Sequence, residues 1–290
     1  MLSLHTNVAT LAAQNSLSKT QSSLSTSMTR LSTGFRINSA MDDAAGLQIA
    51  TRLKAQTSGM AVAMRNTQNS TSMLQTAEGA LDEVNNMLVR MKDLATQSAD
   101  ASSNTDDKKA MQAEYDNLGK EIQNIMTNTK FGGQTLLKAG TVASAMTFQI
   151  GSDSSETMSL NLSADMGATG AVFTALGSAS VYAGATASTA TAGTELTGAA
   201  TATINLLSTA IGKVSSVRSS LGATANRLDH VYNNLANISS NTKAATGRIM
   251  DVDFATESAN MTSKQMLMQA STAMLKQTNS MSSMVMSLLQ

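Results

Sequence analysis

Residues 204–235 read INLLSTAIGKVSSVRSSLGATANRLDHVYNNL. Ile204, Leu207, Ile211, Val214, Arg218, Leu221, Ala225, Leu228, Tyr232 and Leu235 fall alternately three and four positions apart, and only Arg218 breaks the apolar pattern. That spacing lays side chains along one stripe of an α-helix, the pattern that packs helix on helix. It predicts a helix over about 203–240, roughly 57 Å long at 1.5 Å per residue. Such a rod implies a long, narrow bundle.

Two further seams run earlier in the chain. Leu74, Leu81, Leu88 and Ala95 recur every seven residues, and Ala77, Val84 and Met91 follow the first three by three positions. Met111, Tyr115, Leu118, Ile122 and Ile125 repeat the spacing, with Thr105 as N-cap before the first-turn acids Asp106 and Asp107. The 290 residues contain no proline, where average usage of about 5% predicts roughly 14. The seams are therefore free of the commonest helix breaker.

The two ends carry more apolar surface than one partner helix needs. Leu267, Met274, Met281 and Leu288 form one seven-residue column, and Met261, Met268 and Leu275 run beside it. Near the start, Leu17, Leu24, Met28, Leu31 and Phe35 are expected to share a face, with Leu4, Val8 and Leu11 nearly opposite. A lone chain leaves such stripes wet, so they are expected to meet copies of the same chain.

The middle is built differently. Ten of the 18 glycines lie between Gly132 and Gly198. Phe131-Gly132-Gly133 signals a turn, and residues 147–150 and 158–162 alternate like the strands of a hairpin around 151–156. Residues 167–203 are 30 of 37 Ala, Thr, Gly or Ser with Glu195 their one charge, which predicts a surface segment with little to bury.

The composition excludes much chemistry. There is no cysteine for a disulfide, thiolate metal site or nucleophile, and His5 and His230 are far apart. Charges balance at 20 against 20, so no basic field invites nucleic acid. No apolar run reaches the roughly 18 residues of a membrane span. The start, Met1-Leu2-Ser3-Leu4-His5, lacks the cationic leader and apolar core of a secretory signal peptide. Asp42-Asp43 reads as helix-start acids after Ser39, with capping-box spacing, rather than as a catalytic pair. Asp251-x-Asp253 lacks a calcium-loop context, and Ser16-x-x-Lys19 lacks the companion motifs of a serine–lysine hydrolase. The 21 methionines fall mostly on seams and stripes, as packing residues. No catalytic residue, cofactor or metal is expected.

Two segments resemble a known family. Residues 30–47, from Arg30-Leu31-Ser32-Thr33-Gly34-Phe35-Arg36 to Asp42-Asp43-Ala44-Ala45-Gly46-Leu47, resemble the N-terminal signature of bacterial flagellin. Ser219–Ala223, Arg227-Leu228, Asn233–Leu235 and Arg248-Ile249-Met250-Asp251-Val252-Asp253-Phe254-Ala255-Thr256-Glu257 resemble its C-terminal signature, as does the ending Val285–Leu289. The resemblance covers about 1–165 and 203–290. It implies a mainly α fold in which the N- and C-terminal arms pair as a helical bundle or coiled coil, with a small β-hairpin region in the middle. Residues 1–42 with 255–290 would form a terminal coiled-coil domain lining an inner tube. Residues 43–165 with 203–254 would form a helical bundle with the hairpin, and 166–202 a short, variable, exposed segment.

The resemblance also implies a role: a structural subunit that self-assembles helically into the filament of a bacterial flagellum, outside the cell, exported unfolded without a cleaved signal peptide. Self-assembly would fall to Leu24, Met28, Leu31, Phe35, Arg36, Leu267, Met274, Met281 and Leu288. The partners implied are copies of the same chain, the flagellar cap and hook-junction proteins, and an export chaperone at the C-terminus. Neither nucleic acid nor membrane is implied. The segment around Leu88, Arg90, Leu94 and Gln97, with Glu114, matches the helix read by the flagellin-sensing Toll-like receptor of animals, with Val89 and Lys92-Asp93 departing from the family pattern. The family commonly has a proline near position 282; here Ser282 lets the last helix run to about Leu288. Alternative readings are a hook–filament junction protein of the same superfamily, or a secreted adhesin or immune ligand.

Overall fold

The computed structural model describes residues 8–167, 169–183 and 193–288, with side chains through Met281. Leu4, His5, residues 184–192 of the central segment and the Leu288 side chain lie outside the described residues. The elements run α1 (Val8–Thr33), α2 (Ala44–Ala99), α3 (Thr105–Asn128), β1 (Lys130–Phe131), β2 (Gln134–Thr135), β3 (Ala145–Gln149), β4 (Thr157–Asn161), α4 (Ser163–Met166), α5 (Ala171–Ala179), α6 (Glu195–Met250) and α7 (Phe254–Leu288). The fold is mainly α, as the seams predict. They fall into two compact units, one of residues 1–57 and 240–290, the other of 58–239.

In the 58–239 unit the α2 seam is as predicted: Leu74, Ala77, Leu81, Val84, Leu88, Met91 and Ala95 are all buried. The α6 seam holds in one column and shifts in the other. Leu207, Val214, Leu221 and Leu228 are buried, but their partners in the core are Ala210, Val217 and Thr224. Ile211, Arg218 and Ala225 sit one position round the helix, only half-buried. Arg218 reaches sideways. Its Nη2 lies 2.9 Å from Glu78 Oε1 and 2.8 Å from Asp82 Oδ1, two acids one turn apart on α2. The one off-pattern residue thus flanks the core. Helix α6 also starts earlier and ends later than predicted, with a break at Ala199 (φ −149°, ψ 42°).

Local signals place the smaller elements. Asn104, rather than Thr105, caps α3: its Oδ1 accepts from the Asp106 and Asp107 amides at 2.9 and 2.8 Å, and Asp107 returns the bond to the Asn104 amide. Gly132 (φ 57°) and Gly133 (φ 86°) make the two-residue turn between β1 and β2, a backbone that glycine enters without Cβ strain. β3 and β4 form the predicted hairpin, pairing Phe148 with Met158 and Met146 with Leu160 and burying all four.

Residues 166–202 require a correction. They were expected to be exposed with little to bury, yet Met166, Val172, Phe173, Leu176, Ala179, Tyr182 and Leu196 are buried. The apolar residues are few, but Val172, Phe173, Leu176 and Ala179 fall on one face of α5. Polar groups then fasten the segment. Gln112 on α3 donates from Nε2 to Asp116 Oδ1 (2.7 Å) and Glu195 Oε2 (2.8 Å), and its Oε1 accepts from the Leu196 amide (2.7 Å). The Gly193 amide donates to Asp116 and the Val181 amide to Glu195. The Tyr115 hydroxyl donates to the Ala179 carbonyl at 2.5 Å. Burial pushes the Tyr115 phenol well above its ordinary pKa, and the Glu195 and Asp116 carboxylates push it further.

In the other unit α1 packs along α7. On α1, Leu24 and Ser27 are buried and Leu17 and Leu31 half-buried; on α7, Met261, Lys264, Met268 and Leu275 are half-buried. Lys264 Nζ donates to Ser27 Oγ at 2.8 Å, a polar rung in this apolar seam.

Candidate self-assembly surface

The chain leaves α1 at Gly34, whose φ of +75° turns the backbone away from the helix. Residues 34–36 then meet the end of α6. Phe35 pairs with Asp251 in a single antiparallel bridge. The Arg36 amide donates to the Met250 carbonyl (2.6 Å), the Val252 amide to the Gly34 carbonyl (3.0 Å), and Arg36 Nη2 to the Ile249 carbonyl (3.0 Å). Ile37 is buried beside this junction.

Acids and one arginine finish the junction. Arg30 lies 3.7 Å from Asp42 and 3.9 Å from Glu257. Asp42 is not the predicted capping-box partner of a helix beginning near Ser39. It closes a turn, accepting from the Asn38 and Ser39 amides at 3.1 and 2.9 Å, while Asp43 caps α2 through the Gly46 amide at 2.8 Å. The Ser39 and Asn38 amides, with help from the Ser39 hydroxyl and Arg30, hold the Asp42 carboxyl below the usual carboxylate range. Asp253 is lowered too, first by the Thr256 hydroxyl and then by the Ala255 and Thr256 amides at the start of α7. Among the described residues no three His, Cys, Asp or Glu side chains converge as metal ligands, and no helix is long and apolar enough to cross a membrane.

Residues 30–42 of the first signature and 249–257 of the second, some 200 positions apart, therefore build one junction. Residues 4–141 match the model of the bacterial flagellin N-terminal helical region, and residues 204–289 that of the C-terminal helical region. The chain belongs to the bacterial flagellin family. It is 40% identical to a flagellin of Halalkalibacterium halodurans over 264 residues, covering 91% of this chain and 90% of the relative. It is 33% identical to flagellin A of Vibrio anguillarum over an alignment of 382 positions that takes in the whole of both chains. A solved Vibrio parahaemolyticus protein, assigned to the flagellar hook-associated group, shares 17% identity, covers 72% of this chain and 100% of its own, and has a TM-score of 0.55, a likeness of fold alone. Flagellins are a structural protein family, and the role that membership carries is that of a filament subunit.

On this flagellin-family chain the α1–α7 seam uses one column of each helix and leaves another outside. Leu267, Met274 and Met281 are 55%, 65% and 55% exposed, whereas Met261, Met268 and Leu275 face α1. The α1 stripe divides in the same way. Leu17, Leu24 and Leu31 turn inward, and Met28 and Phe35, expected on the same face, turn outward with Val8 and Leu11. The helical advance explains the split: Leu24, Ser27 and Leu31 fit a three–four seam, and a fourth residue four beyond Leu24 falls outside it. Leu288 ends α7.

The segment singled out on α2 presents only part of itself. Leu88 and Leu94 belong to the core. Arg90 and Gln97 are exposed, and Arg90 donates from Nε and Nη2 to Glu114 Oε1 at 2.9 and 2.7 Å. His230 is exposed. The inward-facing polar set Gln112, Asp116 and Glu195 escaped the sequence reading; its one signal is Glu195, the sole charge in 37 residues.

Proposed function

We propose that the chain is the filament subunit of a bacterial flagellum, and that copies assemble helically by burying the outward columns of α1 and α7. The observation that carries this reading is the exposed set Met28, Phe35, Leu267, Met274 and Met281, left over after α1 and α7 have paired. Each Leu or Met buried from water stabilises by about 1.5–3 kcal/mol. A handful per interface, repeated along a helical lattice, suffices to hold a polymer. In this reading Leu24 and Leu31 hold the pair, Arg36 holds the junction, and Leu288 joins the set by its seven-residue spacing from Met281 in the sequence.

Residues 1–42 with 255–290 serve as the inner-tube domain, and 43–165 with 203–254 as the helical bundle with the β-hairpin. The chain works outside the cell, reaching the growing tip unfolded, with an export chaperone on the C-terminal segment and cap and hook-junction proteins as assembly partners. It carries out no catalysis. In animals, the flagellin-sensing Toll-like receptor reads the surface formed by Arg90, Gln97 and Glu114, supported from beneath by Leu88 and Leu94. Electron microscopy of the purified chain after seeding tests the central reading: long tubes are expected, and permanent monomers overturn it.

A further inference from the structure

The chain has neither cysteine nor tryptophan, so its most readily oxidised side chains are its methionines. Their distribution is uneven. Of the ten methionines in the 58–239 unit, eight are buried and Met64 and Met73 are half-buried. All the exposed methionines among the described residues lie in the terminal unit: Met28 (55%), Met41 (97%), Met266 (60%), Met274 (65%) and Met281 (55%). Met41 sits on the turn before α2, off the apolar columns. The other four lie on the outward faces of α1 and α7, where Leu267 shows that leucine fills an equivalent place. Shape alone does not require sulfur there, since leucine and methionine exchange at small cost in volume.

We propose that Met28, Met266, Met274 and Met281 are reversible oxidation sites through which peroxide-class oxidants switch off self-assembly. The inference rests on the assembly reading above. The thioether sulfur attacks one oxygen of hydrogen peroxide; an S–O bond forms, the O–O bond breaks, and the departing oxygen leaves as water. Sulfur loses two electrons and peroxide gains them. The product is a sulfoxide whose oxygen is a strong hydrogen-bond acceptor. Placed in a dry interface without a donor, it carries a desolvation cost that the thioether does not. Methionines inside the bundle are shielded, so the subunit keeps its fold while losing its interface. Thiol-dependent methionine sulfoxide reductases remove the oxygen again as water.

The test uses the full chain. Monomer is treated with hydrogen peroxide, the sulfoxides are mapped by peptide mass spectrometry, and elongation onto filament seeds is followed with and without reductase. Sulfoxides are expected at the five exposed methionines before any in 58–239, with helical circular dichroism retained, elongation lost and reductase restoring it. The quadruple variant Met28→Leu, Met266→Leu, Met274→Leu, Met281→Leu is read against its own untreated rate, which peroxide is expected to leave unchanged, and Met41→Leu alone is expected to remain sensitive. Even labelling across both units overturns the proposal, as does normal elongation by chains oxidised at all four positions. Loss of elongation on peroxide treatment by a quadruple variant that elongates untreated overturns it too. Should the untreated quadruple variant not elongate, reductase rescue of the natural sequence decides: recovery supports the switch and no recovery overturns it. Untreated natural chain that never elongates defeats the assembly reading itself, and the switch with it, which separates that failure from the others.

Discussion

Arg36 donates from Nη2 to the carbonyl of Ile249, 213 positions away, at 3.0 Å. With the Phe35–Asp251 bridge it ties the end of α1 to the end of α6. Replacing Arg36 with Ala removes one side-chain bond and leaves the backbone pairs, at a cost of about 1 kcal/mol to local opening. Amide exchange at Arg36 and Val252 should quicken about fivefold, with exchange in 58–239 unchanged. An identical exchange map in Arg36→Ala would show that the side chain adds nothing to the junction.

In the proposed assembly, the outward column of α7 serves contact between copies and the inward column the pairing with α1. Met274→Lys is expected to change monomer stability by no more than about 0.5 kcal/mol, as exposed substitutions do, and to abolish elongation onto seeds. Met268→Lys places a charge against α1 and should loosen the pair before any assembly. Thermal melts and seeded elongation of the two variants, read together, check the assignment; equal effects on both would merge the columns.

The lowered carboxyls set an acid limit. Asp42 and Asp253 have folded values below the ordinary aspartate value, so each contributes stability that is present above about pH 4 and lost as pH falls below it. Asp253→Asn keeps a side-chain oxygen to cap α7 but cannot titrate. Its acid unfolding curve should be shallower than that of the natural chain below about pH 4. Parallel curves would remove Asp253 from the acid response.

Tyr115 sets the opposite limit. Its folded pKa is raised, so its contribution is complete below the ordinary tyrosine value near pH 10 and is lost as pH climbs above it. In alkaline ultraviolet titration Tyr115 should stay protonated above the ordinary tyrosine value until the fold opens. Tyr115→Phe orphans the Ala179 carbonyl, costs about 1–3 kcal/mol, and flattens the alkaline slope.

Gly193 tests the fastening of the central segment. A Cβ there would fall on Glu195 Oε2 and lie 2.8 Å from both Asp116 Oδ1 and Gln112 Nε2. Gly193→Ala should destabilise by about 1–3 kcal/mol through overpacking, seen as a lower urea midpoint. An unchanged midpoint would mean that the segment shifts freely.

Much of this was legible in the sequence because helical seams are repetitive. The column Leu207, Val214, Leu221, Leu228 was fixed by its period, and the β3–β4 hairpin by its alternation. The choice between Ala210 and Ile211 as partners was not. Both are apolar and adjacent, and only the neighbouring helix decides which one it meets. Arg218 looked like a defect because Glu78 and Asp82 are 140 and 136 positions away. The burial of Val172 and Phe173 was hidden by composition, since a few well-phased apolar residues count for more than the alanines and threonines around them. The split of α1 into inward and outward residues needed α7 in place, because Met28 and Leu31 differ in which side faces a partner and hardly at all in chemistry.

The pairing of α1 with α7 has a consequence for synthesis. Lys264 reaches back 237 positions to Ser27, so a ribosome has made nearly the whole polypeptide before α1 meets its mate. Closing a loop that long is slow compared with local helix formation. Until then the leading segment lacks the helix on which it docks. A message cut short upstream of α7 yields a product that never completes the pair and so cannot lodge among finished copies. In the proposed assembly, the distance between α1 and α7 would serve as a proofreading step, excluding chains that stop before α7 is made.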